Sequence, residues 1–140
     1  MDILYSTERR VTGRMATTTG EVIEIQSEEE YLRVLSEADS SDSLVVVDCY
    51  ADWCPPCRAI APVYKELAKE YSHVVFVKVS VEKVPTIKRH LTVWALPTFT
   101  FVKKQKIVSS FMGANVNKLQ YGLQNDGSTG VCGAIPCTIQ

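Results

Sequence analysis

Cys54 and Cys57 are the residues of this chain whose spacing points most directly to chemistry. They stand in Trp53-Cys54-Pro55-Pro56-Cys57, where an apolar run ends and a helical pattern begins. Two cysteines three residues apart in a helical turn have Cα atoms about 5 Å apart, inside the separation a disulfide tolerates. The first lies at the helix N-terminus. There the unpaired amides and the helix dipole favour an anion, so its thiol pKa falls from the free value of about 8.5. Cys57, one turn in, loses most of that help and stays a thiol. The asymmetry assigns roles: Cys54 attacks a disulfide, and Cys57 resolves the mixed disulfide that results. Pro56 fixes φ in the first turn, where no backbone donor is missed.

The pair needs a strand to end and a helix to begin at this point. Leu44 to Val47 is a continuous, mostly β-branched run that suits a strand buried on both faces. From Cys57 to Tyr71 the period is helical, with Ile60, Val63, Tyr64, Leu67 and Tyr71 on one face and Pro62 inside as an expected kink. Upstream, Glu21 to Gln26 alternates as a short strand, and Ser27-Glu28-Glu29-Glu30 reads as a capping box. It opens a helix through Ala38, with Asp39 to Ser43 as a polar loop. Downstream come a strand at Val74 to Val79, a weak helix at Val84 to Leu91, and strands at Pro97 to Val102 and Ile107 to Met112. A helix from Val116 to Leu123 closes the pattern. The order β-α-β-α-β-α-β-β-α predicts an α/β domain with right-handed crossovers and helices on both faces of the sheet. Its last two strands, joined by a short turn, must be antiparallel.

Composition narrows the function classes. The chain of 140 residues is 46% hydrophobic and 22% charged, ordinary globular usage that supports one domain with a real core. Lys plus Arg number 15 against 16 Asp plus Glu, a formal charge of −1 with no concentrated basic face, which argues against a nucleic-acid binder. No apolar run approaches the roughly 18 residues of a spanning helix, which argues against the membrane. Residues 1–20 read as a disordered extension. Arg9, Arg10 and Arg14 among Ser and Thr suggest a mitochondrial transit peptide as the alternative, against which Asp2 and Glu8 count. The expected location is the cytoplasm, where five cysteines (49, 54, 57, 132 and 137) are catalytic or metal-binding rather than a disulfide framework. A zinc site of Cys54, Cys57, Cys132 and Cys137 would need the tail to close across the whole domain, and a purely structural disulfide suits an oxidising compartment.

Taken with its surroundings, the motif resembles the thioredoxin family. The marks are Asp48, Ala51-Asp52-Trp53-Cys54-Pro55-Pro56-Cys57-Arg58-Ala59-Ile60-Ala61-Pro62, Leu96-Pro97-Thr98 and Gly113, at matching separations across residues 21–125. The resemblance implies a thioredoxin fold, a central mixed four- or five-stranded sheet flanked by helices on both faces, and reduction of protein disulfides. It implies no bound cofactor and no metal, with reducing equivalents from NADPH through a flavoprotein thioredoxin reductase. The implied substrates are disulfide-containing proteins, peroxiredoxins among them. Pro97 resembles the family's cis-proline beside the thiols, the plainer alternative being a trans proline at a strand start. A cis bond leaves the backbone near Leu96 free to pair with an extended substrate. Asp48 resembles the buried acid that takes the proton of Cys57, and Lys78 its partner, a solvated strand lysine being the alternative. Trp53 shields the thiols and offers an apolar surface, and Gly113 permits close approach of a bound peptide.

The chain also departs from the family pattern. Pro55-Pro56 replaces the usual Gly-Pro, which stiffens the loop and removes one amide donor. Trp94 stands where a polar residue is common, either as a substrate-facing platform or as a plugged edge. Cys49, next to Asp48, is expected to pack as a small buried hydrophobe. Residues 126–140 form a flexible tail whose Cys132 and Cys137 are either idle thiols or a disulfide acting as a cap or an internal substrate of Cys54. Two other functions compete with disulfide reduction. One is a thioredoxin-fold oxidase or isomerase. The other is a binding module whose thiols are incidental.

Overall fold

The computed structural model describes residues 20–128. Five strands form one mixed sheet in the order β1-β3-β2-β4-β5. These are β1 (Val22–Ile25), β2 (Val45–Tyr50), β3 (Val75–Ser80), β4 (Thr98–Lys103) and β5 (Lys106–Met112). Four helices complete the described residues: α1 (Glu28–Ser40), α2 (Pro55–Glu70), α3 (Ile87–His90) and α4 (Val116–Gln124). β1, β3 and β2 run parallel, while β4 is antiparallel to both β2 and β5. This is the thioredoxin architecture that the resemblance implied, with five strands rather than four.

Alternation along each strand divides the core into two layers. Val45, Val47 and Cys49 of β2 join Val75, Val77 and Val79 of β3 beneath Tyr31, Val34 and Leu35 of α1 and Ile87 of α3. On the opposite face Val46 and Phe76 meet Ile60, Tyr64 and Leu67 of α2, with Phe99, Phe101, Leu119 and Leu123 completing the layer. Each such side chain contributes roughly 1.5–3 kcal/mol through burial. The buried Tyr64 hydroxyl shares its proton between the Val46 and Val77 carbonyls at 3.0 and 2.7 Å, tying α2 to the two central strands.

Local sequence sets the boundaries, with some shifts. Ser27 caps α1 by accepting from the Glu30 amide at 3.1 Å. The Glu30 carboxylate reaches back one residue further than a capping box requires, to the Gln26 amide at 2.7 Å. α1 continues through Asp39 and Ser40, expected as loop. α2 begins at Pro55, two residues before its apolar period does, because prolines at the first helical positions need no donor. It runs unbroken through Pro62. α3 is one turn, shorter than the helix expected from Val84. Lys104 and Gln105 both adopt positive φ, 53° and 63°, which gives the β4–β5 hairpin the sense of twist its strands need.

Candidate functional site

The fold places the cysteine pair just past the end of β2. Cys54 caps α2 and is disulfide-bonded to Cys57, with Cα atoms 5.3 Å apart. Both are nearly inaccessible, at 3% and 4% exposure. The Cys57 amide donates to the Cys54 sulfur at 3.2 Å. Since Pro55 and Pro56 have no N–H, Cys57 supplies the first amide of this helix that the sulfur can meet. The same hydrogen bond, with the positive end of the helix, favours a thiolate at Cys54 once the disulfide opens.

Asp48 lies on the α2 face of β2, opposite Lys78 in the parallel ladder. It is 4% exposed, and its Oδ1 has no hydrogen-bond partner among the described residues. Burial pushes its carboxyl up to about 7, against a smaller opposing effect of Lys78. The direct partner expected for Lys78 is different, however. Its ammonium pairs with Glu24 at 3.9 Å, so it acts on Asp48 only through space. Asp48 and Lys78 line one cavity of about 570 Å³, together with Glu24, Lys65 and Lys69. Cys49 points to the other face of the sheet, wholly buried, where burial and the neighbouring carboxylate push its thiol up to about 12. Such a thiol is inert.

Trp53 is 62% exposed, and its indole N–H donates to the Glu82 carboxylate at 2.8 Å. The Leu96–Pro97 peptide bond is cis. Pro97 is buried, and its carbonyl accepts from the Gly113 amide at 2.8 Å, which brings Gly113 to the same end of the sheet. Gly113 has φ 98°, which disfavours any side chain, although open space surrounds it. Trp94 projects into solvent at 81% exposure. Trp53, Cys54, Pro55, Lys88, Trp94 and Leu96 line a cleft of about 530 Å³. The structure thus gathers Cys54, Trp53, Trp94 and Leu96 at one cleft, with Asp48 and Lys78 in a separate cavity. Cys132 and Cys137 lie outside the described residues.

Three participants escaped the sequence reading. Glu82 orients Trp53, Glu24 collects Lys78, Lys83 and the Tyr50 hydroxyl, and Lys88 enters the cleft. The first two are charges at strand ends or on strands, and their partners depend on a register that sequence alone does not show. His90 ties α3 to α1 through Glu28 at 2.7 Å. Among the described residues no cluster of three or more His, Cys, Asp or Glu side chains could hold a metal, and no helix is long and apolar enough to cross a membrane.

Known proteins match this arrangement. The family model described as Thioredoxin covers residues 22–125. Thioredoxin H3 of Arabidopsis thaliana is 44% identical over 95 residues, which is 68% of this chain and 80% of that protein. Thioredoxin H5 of the same plant is 38% identical over 108 residues, 77% of this chain and 92% of that protein. Among solved structures, the long form of thioredoxin f from spinach chloroplast superposes with TM-score 0.75 at 32% identity, covering 84% of this chain and 95% of that one. Reduced Schistosoma mansoni thioredoxin pre-protein gives 0.71 at 35%, covering 75% and 97%. This chain belongs to the thioredoxin family and is a dithiol protein-disulfide reductase of the thioredoxin type.

Proposed function

We propose that Cys54 is the attacking thiolate, Cys57 the resolving thiol and Asp48 the group that receives the Cys57 proton. The observation that carries this reading is the Cys57 amide on the Cys54 sulfur at a helix N-terminus, which marks one sulfur of the pair as the better anion. The Cys54 thiolate attacks one sulfur of a substrate disulfide, and the other leaves and takes up a proton. Cys57, giving its proton to Asp48, then attacks Cys54. The second substrate thiol departs and the Cys54–Cys57 disulfide closes. Two electrons pass to the substrate. A carboxyl raised to about 7 is matched to proton transfer near neutrality.

Substrate binding falls to Trp53 and Leu96, which line the cleft with Cys54, to Pro97, which follows Leu96 in the chain, and to Gly113, which is hydrogen-bonded to Pro97; together they offer backbone and apolar surface to an extended segment. The electrons return from NADPH through a flavoprotein thioredoxin reductase. One matched structure, at TM-score 0.72 and 31% identity, is a complex of ferredoxin:thioredoxin reductase and thioredoxin f2. A ferredoxin-linked donor is therefore the comparison arm. Insulin reduction followed by turbidity, with each reductase in turn, tests the assignment. Activity is expected with the flavoprotein and none with Cys54→Ser, while Cys57→Ser accumulates a mixed disulfide at Cys54. Asp48→Asn slows release of that mixed disulfide and spares the first attack. Activity surviving Cys54→Ser, or equal slowing of both steps by Asp48→Asn, refutes the assignment.

A further inference from the structure

The cleft beside Cys54 has a composition that selects among disulfides. Two indoles border it, Trp53 at 62% and Trp94 at 81% exposure, where a soluble surface ordinarily scatters such groups singly. Half-buried Val93 and Leu96 add apolar lining to the same cleft, and the paired rings of Pro55 and Pro56 add a wall without amide donors.

Charge adds direction to this apolar surface. The two charged side chains lining the cleft are Glu82 and Lys88. Glu82 is already committed to the Trp53 indole N–H at 2.8 Å, which also holds that ring in place. Lys88 is exposed and makes no ion pair with any described residue. Two other cations are engaged elsewhere: Lys83 faces Glu24 at 3.9 Å, and Arg58 donates to the Asp52 carbonyl at 2.6 Å. The cleft thus holds one carboxylate, anchored to the Trp53 indole, and one ammonium, that of Lys88, with no carboxylate partner among the described residues.

We propose that Trp53, Trp94 and Lys88 form a specificity site for disulfides whose cysteine is flanked by an aromatic residue and a carboxylate. The aromatic group enters between the indoles over Val93 and Leu96, where ring–ring contact adds to apolar burial. The carboxylate meets Lys88, and a basic flank is repelled there. Trp94 is then a specificity-determining residue of the reductase, neither nucleophile nor proton carrier. The inference rests on the dithiol-reductase reading and names the class of substrate its cleft prefers.

The test uses the reduced full-length chain in single turnover, so that no reductase intervenes. Its substrates are cysteine peptides in mixed disulfide with glutathione, flanked by Trp and Asp, by Trp and Lys, or by two alanines. The natural chain should reduce the Trp/Asp peptide faster than the alanine peptide by about tenfold in second-order rate constant. Trp94→Ser should bring that ratio close to one. Lys88→Glu should invert the preference for the Trp/Asp over the Trp/Lys peptide. Equal rates across the series for the natural chain, or a ratio unchanged by Trp94→Ser, overturns the proposal. Failure to reduce any peptide in the series is a different result, which overturns the reductase reading and this proposal with it.

Discussion

Replacing Asp48 by Asn in the oxidised protein should stabilise the fold, and the gain should grow with pH. The carboxyl is 4% exposed, one of its oxygens has no partner among the described residues, and burial lifts its pKa from 3.8 to about 7. At about 1.36 kcal/mol per pH unit, that rise amounts to a penalty of about 4 kcal/mol once the group is ionised in both states. Below pH of about 4 folded and unfolded chains both hold the proton and no penalty exists. Between about 4 and 7 the unfolded chain has released it while the folded chain retains it, so stability falls as pH rises. Above about 7 the whole penalty is present. From about pH 5 to about pH 8 the linkage relation gives a loss of about 2–3 kcal/mol. Asn keeps the shape and cannot ionise. Urea denaturation of both proteins at the two pH values gives the difference between them, in which the other titrating groups cancel. The advantage of Asn should be larger at the higher pH by that amount. An advantage constant to within about 0.5 kcal/mol would show that the carboxyl is not desolvated as the structure has it.

Three further outcomes follow from the packing. Gly122→Ala places a methyl group against the wholly buried Phe101 ring, and overpacking of about 1–3 kcal/mol should outweigh the helix-propensity gain of about 1 kcal/mol, lowering the urea midpoint. Tyr64→Phe removes the proton shared by the Val46 and Val77 carbonyls and should cost about 1 kcal/mol in the same assay. Lys78→Met removes the charge that holds Asp48 down, so the Asp48 titration followed by carboxyl-carbon NMR should lie higher in the variant than in the natural chain. A downward or absent shift would mean that Lys78 does not act on Asp48.

The parts of this fold legible in the sequence are those written in apolar periodicity. β2 and β3 announce themselves through runs of valine, and α2 through Ile60, Tyr64 and Leu67 at helical spacing. What periodicity misses is backbone pairing that continues past it. β2 extends to Tyr50 because its ladder with β3 and β4 runs on through Asp48, whatever the polarity of the side chain. α2 starts on two prolines that bear no apolar face. The redox pair was legible because its chemistry is local, four residues on one helical turn. Its surroundings were not, since the choice of Glu24 by Lys78 and of Glu82 by Trp53 is made across the sheet and the loops at its end. The orphaned Asp48 oxygen is of the same kind, since it depends on what fails to reach the carboxyl.

The parallel run of β1, β3 and β2 has a practical consequence for how the domain can be held. Val22 opens β1 at the pole where β2 and β3 also begin, and Gly127 packs against Leu44 and Phe101 toward that same pole. The cysteines follow the far end of β2. Both ends of the domain therefore leave it on the side away from the thiols. A tether at either end, to a resin, a sensor chip or another domain, leaves the redox face turned to solution. The Cys57→Ser form anchored this way should work as bait, capturing by covalent exchange the disulfide proteins that dock at the Cys54 cleft.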